Sequence, residues 1–233
     1  MPDTGQQPRG RGRPRRSFER IVATAFDLAD EVGTTAFSMR SLAERLDTST
    51  ATLYRHVAGK DELMAHVLDR VLGEIQPPHH LGKGGGTWQD EARHIALAFH
   101  RALSRHPNVL PLLVSQVPVG PNAMALRERT IATFVRSGFS VPLAARAYTT
   151  LAHYVIGFAV QEHARGAPGP REAGALRDYF RRLDADRYQF TIAAADDLTA
   201  VPLEDEFREG LDFILDGIDS AYRRRRAARG KRG

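Results

Sequence analysis

Residues 37–63 read FSMRSLAERLDTSTATLYRHVAGKDEL. Met39 to Leu46 sets Leu42, Ala43 and Leu46 on one side of a short helix, at the spacing a 3.6-residue period requires. Ser38 stands just before it, where a hydroxyl can accept from the free N–H groups of a helix start. Ser49 is placed in the same way ahead of a second short helix, Thr50 to His56. Gly59 breaks the chain, and Lys60 to Ile75 then carries Leu63, Val67, Val71 and Ile75 at steps of four. Upstream, Phe18, Val22, Ala25, Ala29 and Val32 recur at steps of three and four until Gly33, a residue suited to ending a helix. Two short helices joined by a tight turn and braced by a third suggest a helix-turn-helix.

The physical logic of such a unit is explicit. Leu42, Ala43, Leu46, Leu53 and Val57 would pack its inner seam, leaving Thr50, Ala51, Thr52, Tyr54 and His56 outside. A helix fits the major groove of DNA, where small Thr and Ala side chains approach base edges and the thymine methyl group. Tyr54 and His56 are long enough for phosphates. The charge of this segment has the wrong sign for DNA, since residues 17–76 hold six basic and ten acidic side chains. The arm before it, residues 1–16, holds five arginines against Asp3 and offsets that excess. Within the arm, Arg11-Gly12-Arg13-Pro14 matches the core of an AT-hook, which lays Arg11 and Arg13 along a narrow A·T-rich minor groove.

Outside this head the 233-residue chain has ordinary globular composition, 42% hydrophobic and 26% charged. It contains no cysteine, which excludes disulfides, thiolate metal sites and cysteine nucleophiles together. No stretch approaches the roughly 18 apolar residues of a membrane helix, and a cytoplasmic location is expected. Pro77, Pro78 and the glycine-rich run 82–86 mark a domain boundary. Beyond it the periodic segments are helical: Trp88, Ile95, Phe99 and Leu103; residues 108–117; residues 121–137, with Leu126, Ile131 and Phe134 inward; residues 143–165; and Phe207 to Tyr222. Residues 166–202 read as irregular, with one short helix near 176–183. Residues 223–233 hold seven basic residues and no acid and read as a disordered tail. The expected architecture is all-α: a basic arm (1–16), a three-helix head (17–76), a larger helical domain (77–222) and a basic tail (223–233).

The run Phe37–Leu63, with its pattern L-x-x-x-x-x-T-L-Y-x-H-V-x-x-K-x-x-L, resembles the DNA-binding signature of the TetR (tetracycline repressor) family. Trp88-Gln89-Asp90, Ser137-Gly138-Phe139-Ser140, His153 to Gly157 and Phe207 to Gly217 resemble the tetracycline-repressor type of C-terminal domain. The resemblance implies that Thr50, Ala51 and Thr52 read bases and that Tyr54, His56 and Lys60 bind phosphates. It implies that Arg40 reaches a base or phosphate. It also implies operator DNA as partner, a homodimer built from the helices at 143–165 and 206–222, and a ligand pocket among the helices at 88–165. The stripe Leu211, Ile214, Leu215 and Ile218 is the expected dimer face. Asp47 departs from the pattern, standing where the family usually has Gly in the turn, so a positive φ at a modest cost is expected there. Set against tetracycline repressor, Leu112 stands at its metal-binding His, Gln161 at a carboxylate and Ile95 at an amide, so no metal and no cofactor are expected. What remains is a pocket for a small apolar ligand among Phe99, Leu103, Leu112, Gln116, Phe134, His153, Phe158 and Gln161.

Two rival readings compete with this one. A nonspecific nucleoid-type protein could rest on the basic tails alone. A helical enzyme would need a constellation that the nine histidines do not supply. His79-His80 sits in a Pro/Gly loop, and His94, His100 and His106 are six apart and fall on different helix faces. Glu162 and His163 are adjacent and diverge, and the glycine run lacks P-loop spacing. The expectation is a sequence-specific transcriptional regulator, a repressor released by a small molecule.

Overall fold

Helix caps and glycine breaks divide the chain as the apolar spacing requires. The computed structural model describes residues 13–75, 86–166 and 169–230. Its helices are α1 (Arg13–Ala36), α2 (Met39–Arg45), α3 (Thr50–Leu53), α4 (Lys60–Gly73), α5 (Trp88–Arg105), α6 (Leu110–Ser115), α7 (Pro121–Arg136), α8 (Val141–Arg165), α9 (Pro170–Arg181), α10 (Ala185–Ala193), α11 (Asp197–Ala200) and α12 (Leu203–Gly230). A 3-10 turn, Pro107–Val109, precedes α6. Among the described residues there is no strand, as an all-α fold requires.

Several expected boundaries move. Helix α1 starts at Arg13, and its regular part ends at Gly33 as expected, where φ 81 and ψ 152 are non-helical and only a short helical turn to Ala36 follows. Residues 169–200 form three helices, α9 to α11, where an irregular segment with one helix was expected. The basic stretch after Tyr222 is helical to Gly230 and is not a disordered tail through that point. Arginine and alanine are good helix formers, so α12 continues after its apolar stripe has run out.

The chain folds as two units, and the first recruits more than the head. It joins residues 1–75 to His106–Leu126. Its core stacks Ile21, Ala25, Leu28 and Ala29 of α1 on Leu63, Val67 and Val71 of α4, with Val109 and Leu110 beside them, all buried. Burying each large side chain is worth about 1.5–3 kcal/mol. His106 ties the recruited segment to both long helices. Its Nδ1 lies 3.2 Å from an Asp30 carboxylate oxygen and its Nε2 3.2 Å from one of Glu74. A neutral imidazole can donate to only one of them. Beside it the Asn108 amide donates to the Asp30 carbonyl at 2.6 Å.

The second unit, residues 76–105 and 127–233, packs α5, α8 and α12 on one another. A Thr87–Asp90 box starts α5: Thr87 N donates to the carboxylate at 3.0 Å, and Asp90 N donates to the Thr87 hydroxyl at 3.2 Å. The Thr87 bonds hold the Asp90 carboxyl below the usual carboxylate range. Phe134, Phe207, Leu103, Leu211 and Leu215 are fully buried. Leu126 and Ile131 of α7, expected inward, are half-buried. Trp88 packs on Phe134 and Phe139, and Tyr222 stacks on Phe139 at 4.1 Å and donates to the Ser137 carbonyl.

Candidate nucleic-acid interface and ligand cavity

The head is built by two serines. Ser38 Oγ accepts from Ser41 N at 3.1 Å, and the Ser41 side chain returns a bond to Ser38, closing a capping box on α2. Ser49 Oγ accepts from Thr52 N at 3.2 Å and starts α3. The turn between them passes through Asp47 at φ 52, the one positive φ at a non-glycine residue among those described. Asp47→Gly should therefore stabilise the head, by up to about 1 kcal/mol from relief of left-handed strain, and raise its unfolding midpoint. Differential scanning calorimetry of the two proteins checks this.

Leu42, Ala43, Leu53 and Val57 are buried and hold α2 and α3 together, with Leu46 half-buried. The helical part of the reader is short, Thr50–Leu53, and Tyr54 to His56 continue it as a turn. Thr50 and Ala51 are exposed, Thr52 and His56 half-buried, and Tyr54 is 54% exposed. These side chains share the outer surface that the seam leaves free. Arg13 opens α1, so Arg13 and Pro14 belong to a helix rather than to an extended arm. Arg11 lies outside the described residues.

The cations of the head differ in availability. Arg45 makes a two-pronged bond to Glu31 at 2.5 and 2.6 Å, which lowers the Glu31 pKa and ties α2 to α1. Arg40 is exposed but paired with Glu44 one turn on. Lys60 Nζ donates to the Phe37 carbonyl at 2.7 Å and sits 5.8 Å above the Phe37 ring. It has two further N–H donors for a phosphate, so it both braces the head and can bind DNA. Arg55 was missed by sequence reasoning. It is exposed, and its guanidinium reaches the Thr52 hydroxyl at 3.3 Å. Its signal was in plain view, a cation inside the Thr52–His56 run.

The second unit carries a cavity of about 470 Å³ where the end of α8 meets α9, α11 and the start of α12. Phe158 and Gln161 line it together with Leu176, Leu198 and Leu203. The other residues expected around a pocket are not gathered there. Phe99, Leu103 and Phe134 are buried core, and His153 is exposed on α8. Leu112 and Gln116 are half-buried and belong to the first unit. Beside the cavity His100 stacks on Phe207 at 4.1 Å and bonds Glu162 through Nε2 at 2.8 Å. Tyr154 donates to the Phe207 carbonyl, and burial, then the nearby Glu206, pushes its phenol up to about 12. Among the described residues no three His, Cys, Asp or Glu side chains gather as metal ligands do. None of their helices is long and apolar enough to cross a membrane.

A two-serine-capped pair of helices with small residues outward, carried by a helical domain with a cavity, defines a helix-turn-helix DNA reader with a sensory domain. Residues 21–67 match the family described as bacterial regulatory proteins, tetR family, and residues 81–222 match the tetracyclin repressor-like C-terminal domain. The chain belongs to the tetR family and is a sequence-specific, DNA-binding transcriptional regulator with a tetracycline-repressor-type C-terminal domain. It is 32% identical to the HTH-type transcriptional repressor DrrR1 of Streptomyces coeruleorubidus, over 96% of this chain and 85% of that one. It is 29% identical to the class D tetracycline repressor of Escherichia coli, over 72% and 80% of the two chains. Among solved structures it is similar to the TetR family protein ActR of Streptomyces coelicolor in complex with actinorhodin. That match has a TM-score of 0.79 and 30% identity, covering 88% of this chain and 97% of that one. Regulators of this family bind operator DNA as homodimers.

Proposed function

We propose that the protein is a cytoplasmic repressor that holds a near-palindromic operator as a homodimer and leaves it when a small molecule enters the second unit. The observation that carries the DNA half is the outer surface of Thr50, Ala51, Thr52 and Tyr54 on a packed head whose α2 and α3 are both capped by serine. Thr50, Ala51 and Thr52 read bases. Tyr54, His56, Lys60, Arg40 and the newly seen Arg55 set affinity through phosphates, because phosphate contacts position and base contacts specify. Two similar proteins, a repressor and a regulator solved in complex with actinorhodin, support the rest. The ligand acts by linkage: it must bind the DNA-incompetent state better, by an ordinary 1–3 kcal/mol or so, and operator must weaken it by the same factor.

The dimer uses the faces of α8 and α12 turned from their own core. Phe213, Gly217 and Ser220 of α12 are exposed there, and Thr149, Ile156 and Gly157 of α8 are exposed or half-buried. The stripe expected for this role is divided. Leu211 and Leu215 are buried in their own chain, and Ile214 and Ile218 are half-buried.

Selection of bound DNA from a random pool should return a near-palindrome preferred by about 10³-fold or more over random sequence. On that operator Lys60→Ala should weaken binding to all sequences and reduce the salt slope by roughly one unit. Thr52→Ala should instead change preference at one or two positions of each half-site. An unchanged salt slope for Lys60→Ala would leave that lysine only its bond to Phe37. Absence of any preferred sequence would favour the nucleoid reading.

A further inference from the structure

The cavity at the end of α8 has walls of two kinds. Phe158, Leu176 and Leu198 supply apolar surface. Glu162, Glu172 and Glu206 bring three carboxylates to it against one guanidinium, that of Arg165. Glu162 is engaged by His100. Among the described residues Glu172 and Glu206 have no ion pair and no side-chain hydrogen bond.

Three neighbouring cations are already taken by acids outside the cavity, and Arg171, beside Glu172, is exposed and does not line it. Arg208 bonds Glu204 at 2.6 Å, and Arg181 and Arg177 both pair with Asp196. The lining is therefore left with a surplus of negative charge, in a cleft whose apolar walls strengthen its field. Glu206 already acts through that field on the neighbouring Tyr154 phenol. The volume, about 470 Å³, is that of a site for a drug-sized molecule. A neutral lipophile would gain only the apolar walls, and an anion would face three carboxylates against the one guanidinium of Arg165.

Resting on the reading that the second unit takes a small effector, we infer that this effector is a lipophilic cation, an apolar body bearing a basic amine. The body lies against Phe158, Leu176 and Leu198, and the ammonium is satisfied by Glu172 and Glu206. The sequence alone pointed to an apolar ligand, because the helical stripes show apolar residues and conceal which acids meet at a cavity.

The test uses one fluorescent skeleton with three charges: 9-(aminomethyl)anthracene, 9-(hydroxymethyl)anthracene and 9-anthracenecarboxylate, titrated into the full chain. The amine should bind about ten-fold or more tighter than the alcohol, with the carboxylate weakest, and the gap should shrink as salt rises. Glu172→Gln with Glu206→Gln should abolish the gap and leave the alcohol unchanged. Ala173→Trp, which fills the cavity, should remove all three. Equal affinities, a preferred carboxylate, a gap that survives the double glutamine variant, or no binding of any probe at about 1 mM would overturn the inference. Release of labelled, pool-selected operator is measured separately. The charge order without release would uphold the ligand class and defeat the effector reading. Release by the alcohol with no charge order would uphold the effector reading and defeat the ligand class.

Discussion

Asp69→Ala should lower the stability of the reading-head unit by about 3 kcal/mol, a large share of what a domain possesses. Asp69 lies midway along α4 and is only 6% exposed. Its carboxylate accepts from Asn122 N at 3.2 Å, Ala123 N at 2.9 Å and the Asn122 amide at 3.1 Å. Helix α7 begins with Pro121, which has no N–H, so Asn122 and Ala123 present its first free donors. The acid of one helix thus caps the start of another, where charge-assisted bonds are the strong ones. Deleting it strands the buried Ala123 N–H and loosens the part-buried Asn122 donors, at about 1–3 kcal/mol for each buried group left unpaired. Gly120→Ala attacks the same contact from the other side. A Cβ there would sit 2.3 Å from the Asp69 carboxylate and 2.7 Å from its Cβ, so either the turn or the acid must move. The two substitutions should be strongly non-additive, because each breaks what the other has broken. Chemical unfolding midpoints of the single and double variants measure this. A neutral Gly120→Ala would show that the turn yields without cost.

The same contact marks the limit of what the sequence could reveal. Caps are local, so Ser38 and Ser49 could be placed from their neighbours alone, and so could the left-handed turn at Asp47. Asp69 resembles any charge on an amphipathic helix until the chain 53 residues later is laid beside it. The recruitment of residues 106–126 into the first unit rests on such long-range bonds, including those of His106, and a boundary drawn from Pro and Gly runs cannot see them. Of helices α9 to α11 only a short one near 176–183 was legible, for a different reason. Their sequence has few buried residues, with Ala195 alone fully buried between α9 and α12, so no apolar period announced the rest. The pocket was obscured in the opposite sense. Phe99, Leu103 and Phe134 have the period of a helix face, and core and cavity lining share that period until the fold shows which residues are covered.

Leu215→Arg and Phe213→Arg, two residues apart on α12, should produce opposite phenotypes. Leu215 is 1% exposed within a single chain, so a guanidinium there must be buried without a partner or must expel the core. Losses above 4–5 kcal/mol are exceptional and come from defects such as this one. We expect an unfolded or aggregated second unit, read by loss of cooperative melting. Phe213 is 68% exposed, and the small residues Gly217 and Ser220 share its side of the helix. That combination allows close approach of an identical helix, as an isologous interface needs. Phe213→Arg should melt like the parent protein yet sediment as a monomer at micromolar concentration. A monomer reaches one half-site at a time and loses the effective concentration that joins two heads, about 10²–10⁴ in avidity. Operator affinity should fall by a factor in that range, while binding of the cationic anthracene, which depends on Glu172 and Glu206, should not. A folded monomer from Leu215→Arg together with an intact dimer from Phe213→Arg would place the interface on the Leu211–Leu215 face instead. The core of the second unit would then have to be completed by the partner chain.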